Sequence, residues 1–577
     1  MGSLSSLYIG VSGLNVSQAA LNITSHNLAN VDTKGFVRQQ AVLTDSNYVK
    51  LGESYISSMQ TGLGADFATV KQVRDAFLDQ AYRKETGRQA FYESQYSAVN
   101  EVEGLFGELE GETFQSTLSD FWTSLQELAK EPDSVVARAS LIQTSVTFVE
   151  RAENISKQLN DYQVNLNTQI QDKVNRINEI GKEVKALNLK IRQYESTGVE
   201  KANDLRDQRN NLLDELGQIA NITYKENSDG VVNVNLEGVP FVTEDTVFLM
   251  DTKRVSDDSE MLKPIWVAHG GVDVFNLDKA PSAEKNTDIG SLKGLLTARG
   301  YKQANYTDIP DRSNYESDAL YNAAVIDYNN KINSSVIMTV QSQFDQLIHG
   351  ITTMVNDVLS PNKTVTLSDG TKIQILDEEN APVGMDSDKT MGEGLFNRKS
   401  MSRYGDPEQI EIINDSGGYE TITARVYNAE DPSDNYSLFT LGEVEVNPEI
   451  LNNYSYIALS SNTGSGDFDI EAAEKLISKW QEPFSTLSPN TLTMNNFNDY
   501  YTSFMSDIAN RGEQLNTIST NQASMVESID NKRMEVTGVS SDEELTNLIK
   551  YQHAYNASAR YVNVVSQMME DIIQKLA

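Results

Sequence analysis

The stretch Ser25–Gln40 reads SHNLANVDTKGFVRQQ, and it closes a helically spaced apolar run that begins at the N-terminus. Leu4, Leu7, Val11, Leu14, Leu21 and Leu28 follow alternating three- and four-residue steps, with Gln18 and Ser25 filling the remaining places of a heptad seam. Ile9, Ala19, Ala20 and Ile23 widen that stripe, while Gly10, Gly13 and several Ser and Asn residues lower its helix propensity. Such a helix depends on a partner. Ahead of Asp32 the only ionisable side chains are Tyr8 and His26. A helix uncharged nearly all round expects neighbours on several sides, as in a bundle or a polymer wall. Where it ends, Asn27, Asn30 and Thr33 are expected to satisfy backbone groups, and Gly35 to permit the turn into an extended segment.

The far end of the chain has the same character. Ser541 and Glu544 stand at capping-box spacing ahead of a helix running from Asp542 to Leu576. Its seam passes through Leu545, Leu548, Tyr555, Val562, Met569, Ile573 and Leu576, with Gln552, Ala559 and Ser566 between them. A neighbouring stripe of Tyr551, Val565 and Ile572 makes the apolar face broad. Two charge-poor, heptad-like helices thus bracket everything else.

Between them lie long helical patterns and strand-rich material. A chain of 577 residues exceeds one hydrophobic core, so about three or four structural units are expected. From Val70 to Leu128 the pattern is helical, with Phe77, Leu78, Tyr82, Tyr92, Tyr96, Val99, Leu105 and Phe106 as core contacts. A second helix is expected from Ser134 to Tyr194, with a stripe through Ile155, Leu159, Tyr162, Leu166, Ile170, Val174, Ile177, Ile180, Val184, Leu187, Ile191 and Tyr194. Gly198 ends it, and DLRDQRNNLLDEL (204–216) lies in a shorter amphipathic helix. The period then changes to two in VVNVNLEGVPFV (231–242), TVFLM (246–250) and PIWVAHGGVDVFNL (264–277), which read as strands. Helix returns at SLKGLLTARG (291–300) and from Asp318 to Leu359. A Gly-, Asp- and Asn-rich stretch from Thr364 to Leu459 reads as an inserted β-rich surface domain. Helices from Ile470, Asn498 and Asp542 close the chain.

Composition excludes several functions. A formal charge of −36 disfavours nucleic acid, which is itself a polyanion. The absence of cysteine removes thiolate metal sites, thiol nucleophiles and disulfides. No membrane span is expected, since no apolar run approaches the length one needs. The N-terminus lacks the pattern of a cleavable signal peptide, which alone reads as cytoplasmic; the missing cysteine keeps a leaderless export route open. The four histidines, His26, His269, His349 and His553, are scattered and hold no zinc spacing. No nucleophile elbow and no phosphate-binding glycine loop is present. Asp386 and Asp388 faintly suggest a calcium loop, but Thr390 and Met391 stand where a ligand and the turn glycine belong. No catalytic residue, metal or cofactor is expected.

With those residues in view, SLYIGVSGLNVSQAALNITSHNLANVDTKGFVRQQ resembles the N-terminal segment of the bacterial flagellar axial proteins, the family of rod, hook and hook-associated subunits. Asn27-x-x-Asn30-x-x-Thr33-x-Gly35-Phe36 matches that family's motif, and SSDEELTNLIKYQHAYNASARYVNVVSQMMEDIIQKL resembles its paired C-terminal helix. DLRDQRNNLLDEL and SLKGLLTARG, together with the length, point to the hook-associated branch.

The resemblance implies an α+β multidomain fold. A coiled-coil-like stem would come from residues 1–60 with 540–577, disordered in the monomer. A long-helix bundle would take 61–360 with 471–539, including a β-rich portion at about 221–280, and a β-rich outer domain 361–470 would be inserted in it. It implies a non-enzymatic structural subunit that forms the junction ring between hook and filament and is exported without a cleavable signal peptide to the extracellular flagellum. The implied partners are further copies of the chain, hook protein, a second junction protein and a cytoplasmic export chaperone at the C-terminal helix. The alternatives are another axial subunit, such as a hook or rod protein, or a secreted enzyme borne on an axial stem.

Overall fold

The computed structural model describes residues 2–53, 58–107, 113–197, 200–257, 259–414, 417–460 and 470–576. Gly198 and the side chain of Leu576 lie outside the described residues. The N-terminal pattern forms one helix, α1 (Gly2–Ala29). It is followed by a two-hairpin ribbon of β1 (Gln39–Asp45), β2 (Tyr48–Glu53), β3 (Ser58–Gly62) and β4 (Ala65–Gln72), in which β1 pairs antiparallel with β4 and β2 with β3. The ribbon packs back on α1. Sequence periodicity assigns the start of this stretch to an extended run but Val70–Gln72 to helix; the strand prevails because its edge is paired along β1.

The body begins with α2 (Ala76–Leu105), capped by the Asp75 carboxylate, which accepts from the N–H groups of Phe77 and Leu78. Next come α3 (Phe114–Lys130), α4 (Val135–Glu195) and α5 (Asn203–Ile219). With 61 residues, α4 spans about 90 Å at the α-helical rise. Its expected stripe is buried from Ile155 to Ile191, apart from the half-buried Tyr162, whereas Tyr194 is exposed at its end. Phe77 corrects another expectation: it is 76% exposed, because it sits in the first turn of α2, ahead of the face that meets α6 and α11.

Strands β5 (Ile222–Glu226), β6 (Val232–Leu236) and β7 (Val239–Val242) form one antiparallel sheet, and β8 (Met250–Arg254), β9 (Leu262–Trp266) and β10 (Val272–Asp273) another. In β6 the alternation is plain: Val232, Val234 and Leu236 are buried, Asn233 and Asn235 less so. Helix α6 (Ser291–Arg299) is buried on every side, and α8 (Val336–Leu359) nearly so; the protruding α7 (Asp318–Lys331) precedes α8. The expected continuous helix from Asp318 to Leu359 is therefore two, broken where Ser335 caps α8 by accepting from the Met338 N–H.

Beyond α8 come the hairpins β11 (Asn362–Thr366) with β12 (Lys372–Leu376) and β14 (Glu408–Ile413) with β15 (Tyr419–Ala424). β13 (Phe396–Arg398) pairs with β16 (Val444–Val446), and the short α9 (Pro448–Asn452) follows. This β-rich part is seated on α8. The Asn356 amide bonds both ways to the Phe396 backbone, and the buried Asp345 carboxylate accepts from the N–H groups of Tyr306 and Leu441 and the Thr440 hydroxyl. Helices α10 (Ile470–Gln481), α11 (Phe497–Thr537) and α12 (Ser541–Leu576) return the chain through the body and out along α1. The architecture is the expected one: a helical stem from both ends, a long-helix body and β-rich insertions.

One core unites the body. Phe106, Phe114, Phe344 and Phe504 pack in edge-on and stacked contacts with centroids 5.0–6.2 Å apart, and Phe148, against Phe114, links them through Phe121 to Trp480. The stem shares none of this aromatic packing.

Candidate functional site

Among the described residues no group of three or more His, Asp and Glu side chains is placed to hold a metal ion, and no helix is long and apolar enough to cross a membrane. The site that the sequence singles out is the stem and the joint below it.

Helices α1 and α12 run antiparallel. A Cβ on Gly10 would lie 2.6 Å from Val562 Cγ2, and one on Gly13 would lie 2.7 Å from Ser558 Oγ, while Asn27 at the other end meets Glu544. The buried face of α1 consists of Gly10, Val16, Ser17, Ala20, Thr24 and Asn27, a stripe of small and polar residues that lets the helices approach closely. The leucine seam is turned away from this centre. Leu7, Leu14, Leu21 and Leu28 are half-buried on its flank, whereas Leu4 and Val11 are exposed. On α12 the face toward α1 carries Glu544, Leu548, Tyr551, Tyr555, Val562, Val565 and Met569, with Leu545, Ile572 and Ile573 exposed. Further exposed apolar side chains, Ile549, Val564 and Met568, lie along α12. The small-residue stripe was legible as the Gly10 and Gly13 interruptions of the heptad, which sequence reading takes only as lowered propensity.

At the base of the stem the motif residues form a compact turn. Asn30 Nδ2 donates to the His26 carbonyl at 2.9 Å, and the Thr33 hydroxyl donates to Asn30 Oδ1 at 3.1 Å. Backbone bonds step from Asn30 to Asn27, from Thr33 to Asn30 and from Phe36 to Thr33. The Phe36 ring meets His26 edge-on at 5.4 Å. Gly35 adopts φ +78°, a conformation that favours glycine, and a Cβ there would fall 2.1 Å from Oδ1 of the Asn211 side chain. Asn27 does more than end a helix. Its amide accepts from the Gln39 N–H at 3.0 Å, donates back to the Gln39 carbonyl at 2.8 Å, and donates to Glu544 at 3.1 Å.

Glu544 corrects the expected capping box. The residue capping α12 is Ser540, whose hydroxyl accepts from the Glu543 N–H, and the Glu544 carboxylate leaves the helix start altogether. It is 2% exposed and takes the Arg38 guanidinium at 2.9 and 2.8 Å, while Glu543 holds the same guanidinium at 3.0 Å. A buried carboxylate needs such a partner more than a helix start needs a second cap.

The other wall of the joint is α5, from the DLRDQRNNLLDEL stretch. Asp207 Oδ2 accepts from the Val37 N–H at 3.2 Å, and its Oδ1 accepts from Gln72 at 2.8 Å and lies 3.6 Å from Arg74. Asp204 meets the Gln39 amide at 3.3 Å and His26 at 3.6 Å. Burial pushes the Asp207 carboxyl up to about 6. Deeper still, Arg74, Asp79, Arg533, Asp214 and Arg83 alternate in one chain of ion pairs 2.6–3.0 Å long, tying α2, α5 and α11 together. This arrangement holds helices in register and offers no group to a reacting substrate.

Comparison with known proteins gives the class. Residues 7–36 match a family described as flagella basal body rod protein, residues 530–575 one described as flagellar basal body rod FlgEFG protein C-terminal, and residues 99–373 the flagellar hook-associated protein FlgK helical domain. The chain belongs to the flagellar axial proteins, a structural family of the flagellum and of motility. Within that family it is similar along nearly its whole length to flagellar hook-associated protein 1. It is 23% identical to that of Bacillus subtilis over 97% of this chain and 96% of the relative. It is 25% identical to that of Salmonella typhimurium over 98% of each. A solved structure, the flagellar hook junction protein FlgK from Burkholderia pseudomallei, shares the fold with a TM-score of 0.51 at 13% identity, covering 79% of this chain and all of that one.

Proposed function

We propose that this chain is the structural subunit of the junction between hook and filament, assembling as a homo-oligomeric ring through its paired terminal helices. The observation that carries this reading is the stem. Two long helices, joined through a narrow face at Gly10 and Gly13, leave Leu4 and Val11 on one and Ile549, Val564, Met568 and Ile572 on the other exposed. Contiguous apolar surface of this kind marks an interaction face.

In this reading residues 1–60 with 540–577 are the assembly segment, 61–360 with 471–539 the helical body and 361–470 the outer domain. Leu4, Leu7, Val11, Leu14, Leu21 and Leu28 form the N-terminal assembly seam, and Leu545, Leu548, Tyr555, Val562, Met569, Ile573 and Leu576 the C-terminal one. The stem orders on assembly, so that burial between subunits offsets its ordering entropy. Hook protein lies below the ring and a second junction protein above it. The subunit is exported without a cleavable signal peptide, with a cytoplasmic chaperone covering the C-terminal helix beforehand.

Deletion of the chain followed by electron microscopy and assay of the medium tests this. Intact hooks with unpolymerised flagellin released from the cell are expected. The rod-family matches at both chain ends favour one other reading, a hook or rod subunit, and loss of hooks as well as filaments in the same experiment selects it.

A further inference from the structure

Two stretches were singled out in the sequence for separate reasons: the Asn-Thr-Gly-Phe motif after α1, and DLRDQRNNLLDEL far along the chain. We propose that they are the two halves of one intrachain clamp, which fixes the base of the stem on the body and is the end from which the α1–α12 pair zips.

The contacts run through a single short strip. Between residues 35 and 39 several elements hold the chain: α5 sets Asn211 beside Gly35 and Asp207 on the Val37 N–H, and α12 sets Glu543 and Glu544 on the Arg38 guanidinium. The Arg38 N–H also donates to the Thr537 carbonyl at 2.9 Å, the last residue of α11, and Gln39 is gripped on both backbone groups by Asn27. Asn27, Val37, Asp207 and Glu544 are all buried, unlike most of the stem above them. The last turn of α1 and the first turn of α12 meet directly through Asn27 and Glu544, and the body holds both through the strip between them.

Nucleating a helix pair costs conformational entropy before any contact repays it. An anchored first turn removes that cost, so each further turn adds outward from the clamp as neighbouring surfaces become available. Asp204, Asp207 and Asn211 act here as positioning residues for the stem. The assembly consequence rests on the function proposed above; the clamp itself does not.

Hydrogen exchange of the full-length monomer, read by mass spectrometry, tests the clamp. Amides of 36–39 and 541–548 are expected to exchange about tenfold or more slowly than those of 4–20 and 558–575. Asp207→Ala is expected to remove that protection at 36–39 while the amides of α8 stay protected. Asp207→Asn, which keeps an acceptor for the Val37 N–H, is expected to retain most of it. Equal exchange of base and distal stem in the unaltered chain overturns the proposal, as does unchanged protection in Asp207→Ala. If Asp207→Ala also exposes α8, Gly35→Ala attacks the same contact from the opposite strand and is read by the same two outcomes. A protected base in a chain that cells place elsewhere in the flagellum leaves the clamp standing and sinks only the junction assignment.

Discussion

The body and the stem are both built from long helices, yet they are closed in opposite ways. In the body, α4 and α8 bury large side chains on one or all faces, and Phe106, Phe114, Phe344 and Phe504 interlock at van der Waals distance. In the stem, α1 meets α12 at Gly10, Gly13 and Asn27, and its leucines are only half-buried or exposed. The first arrangement satisfies itself within one chain. The second brings two backbones close and leaves the larger apolar groups for something else. On the function proposed here, stability and assembly fall to different surfaces, and each is expected to be perturbed with little effect on the other.

The largest expected effect exploits that separation. Val562→Asp places a charge against Gly10, and it should abolish incorporation of the subunit into flagella while thermal unfolding of the body stays within about 2 °C. A body that unfolds as easily as the stem fails to assemble would break the contrast. The converse substitution is Phe344→Ala, which empties the aromatic cluster. It should cost about 3–5 kcal/mol in denaturant unfolding, and flagella should still form where the folded fraction suffices.

A smaller test compares glycines. At Gly294 a Cβ would lie 2.7 Å from the Phe91 carbonyl oxygen of α2, a backbone atom that cannot yield, so Gly294→Ala should cost about 1–3 kcal/mol. At Gly10 the obstacle is the Val562 side chain, near the open end of a helix pair. Gly10→Ala also gains roughly 1 kcal/mol of helix propensity, and should leave thermal unfolding nearly unchanged.

The smallest effect is on pH dependence at the joint. Burial raises the Asp207 carboxyl to about 6 in the folded chain, so between its unfolded value near pH 4 and pH 6 the folded state binds more protons than the unfolded one. This group's contribution therefore favours folding at the acid end of that window and is lost as pH rises through 6. Glu195 has the opposite sign: Arg206, with the Ala202 N–H and Lys201, overcomes burial and holds its carboxyl down at about 2, so its stabilisation is present above pH 4.5 and lost as pH falls toward 2. Thermal unfolding of Asp207→Asn against pH should lack the decline between pH 4 and 6 that the unaltered chain shows.

Much of this was legible in one dimension. The stripe of α4 from Ile155 to Ile191, the alternation of β6 and the heptad spacing at both ends state their periods directly, because each records a face buried against a neighbour. Periodicity also pointed to the motif of Asn27, Asn30, Thr33, Gly35 and Phe36 as the end of a helix. It could not say which face of a broadly uncharged helix turns inward, since no charge marks the outside of α1. Nor could it find the partners of Glu544, because Arg38 lies 506 residues away and the local capping-box pattern offered a nearer role.

The sequence by itself determined where most of the helices and strands form, and that both ends are charge-poor heptad helices. Those properties follow from residue spacing and composition, which local backbone geometry and burial translate directly. Only the tertiary structure decided that Gly10, Gly13 and Asn27 of α1 meet α12, and that Asp207 and Glu544 grip the strip between Gly35 and Gln39. Such choices depend on which surfaces compete for the same face and which buried charges find partners, and both are settled by distance in space.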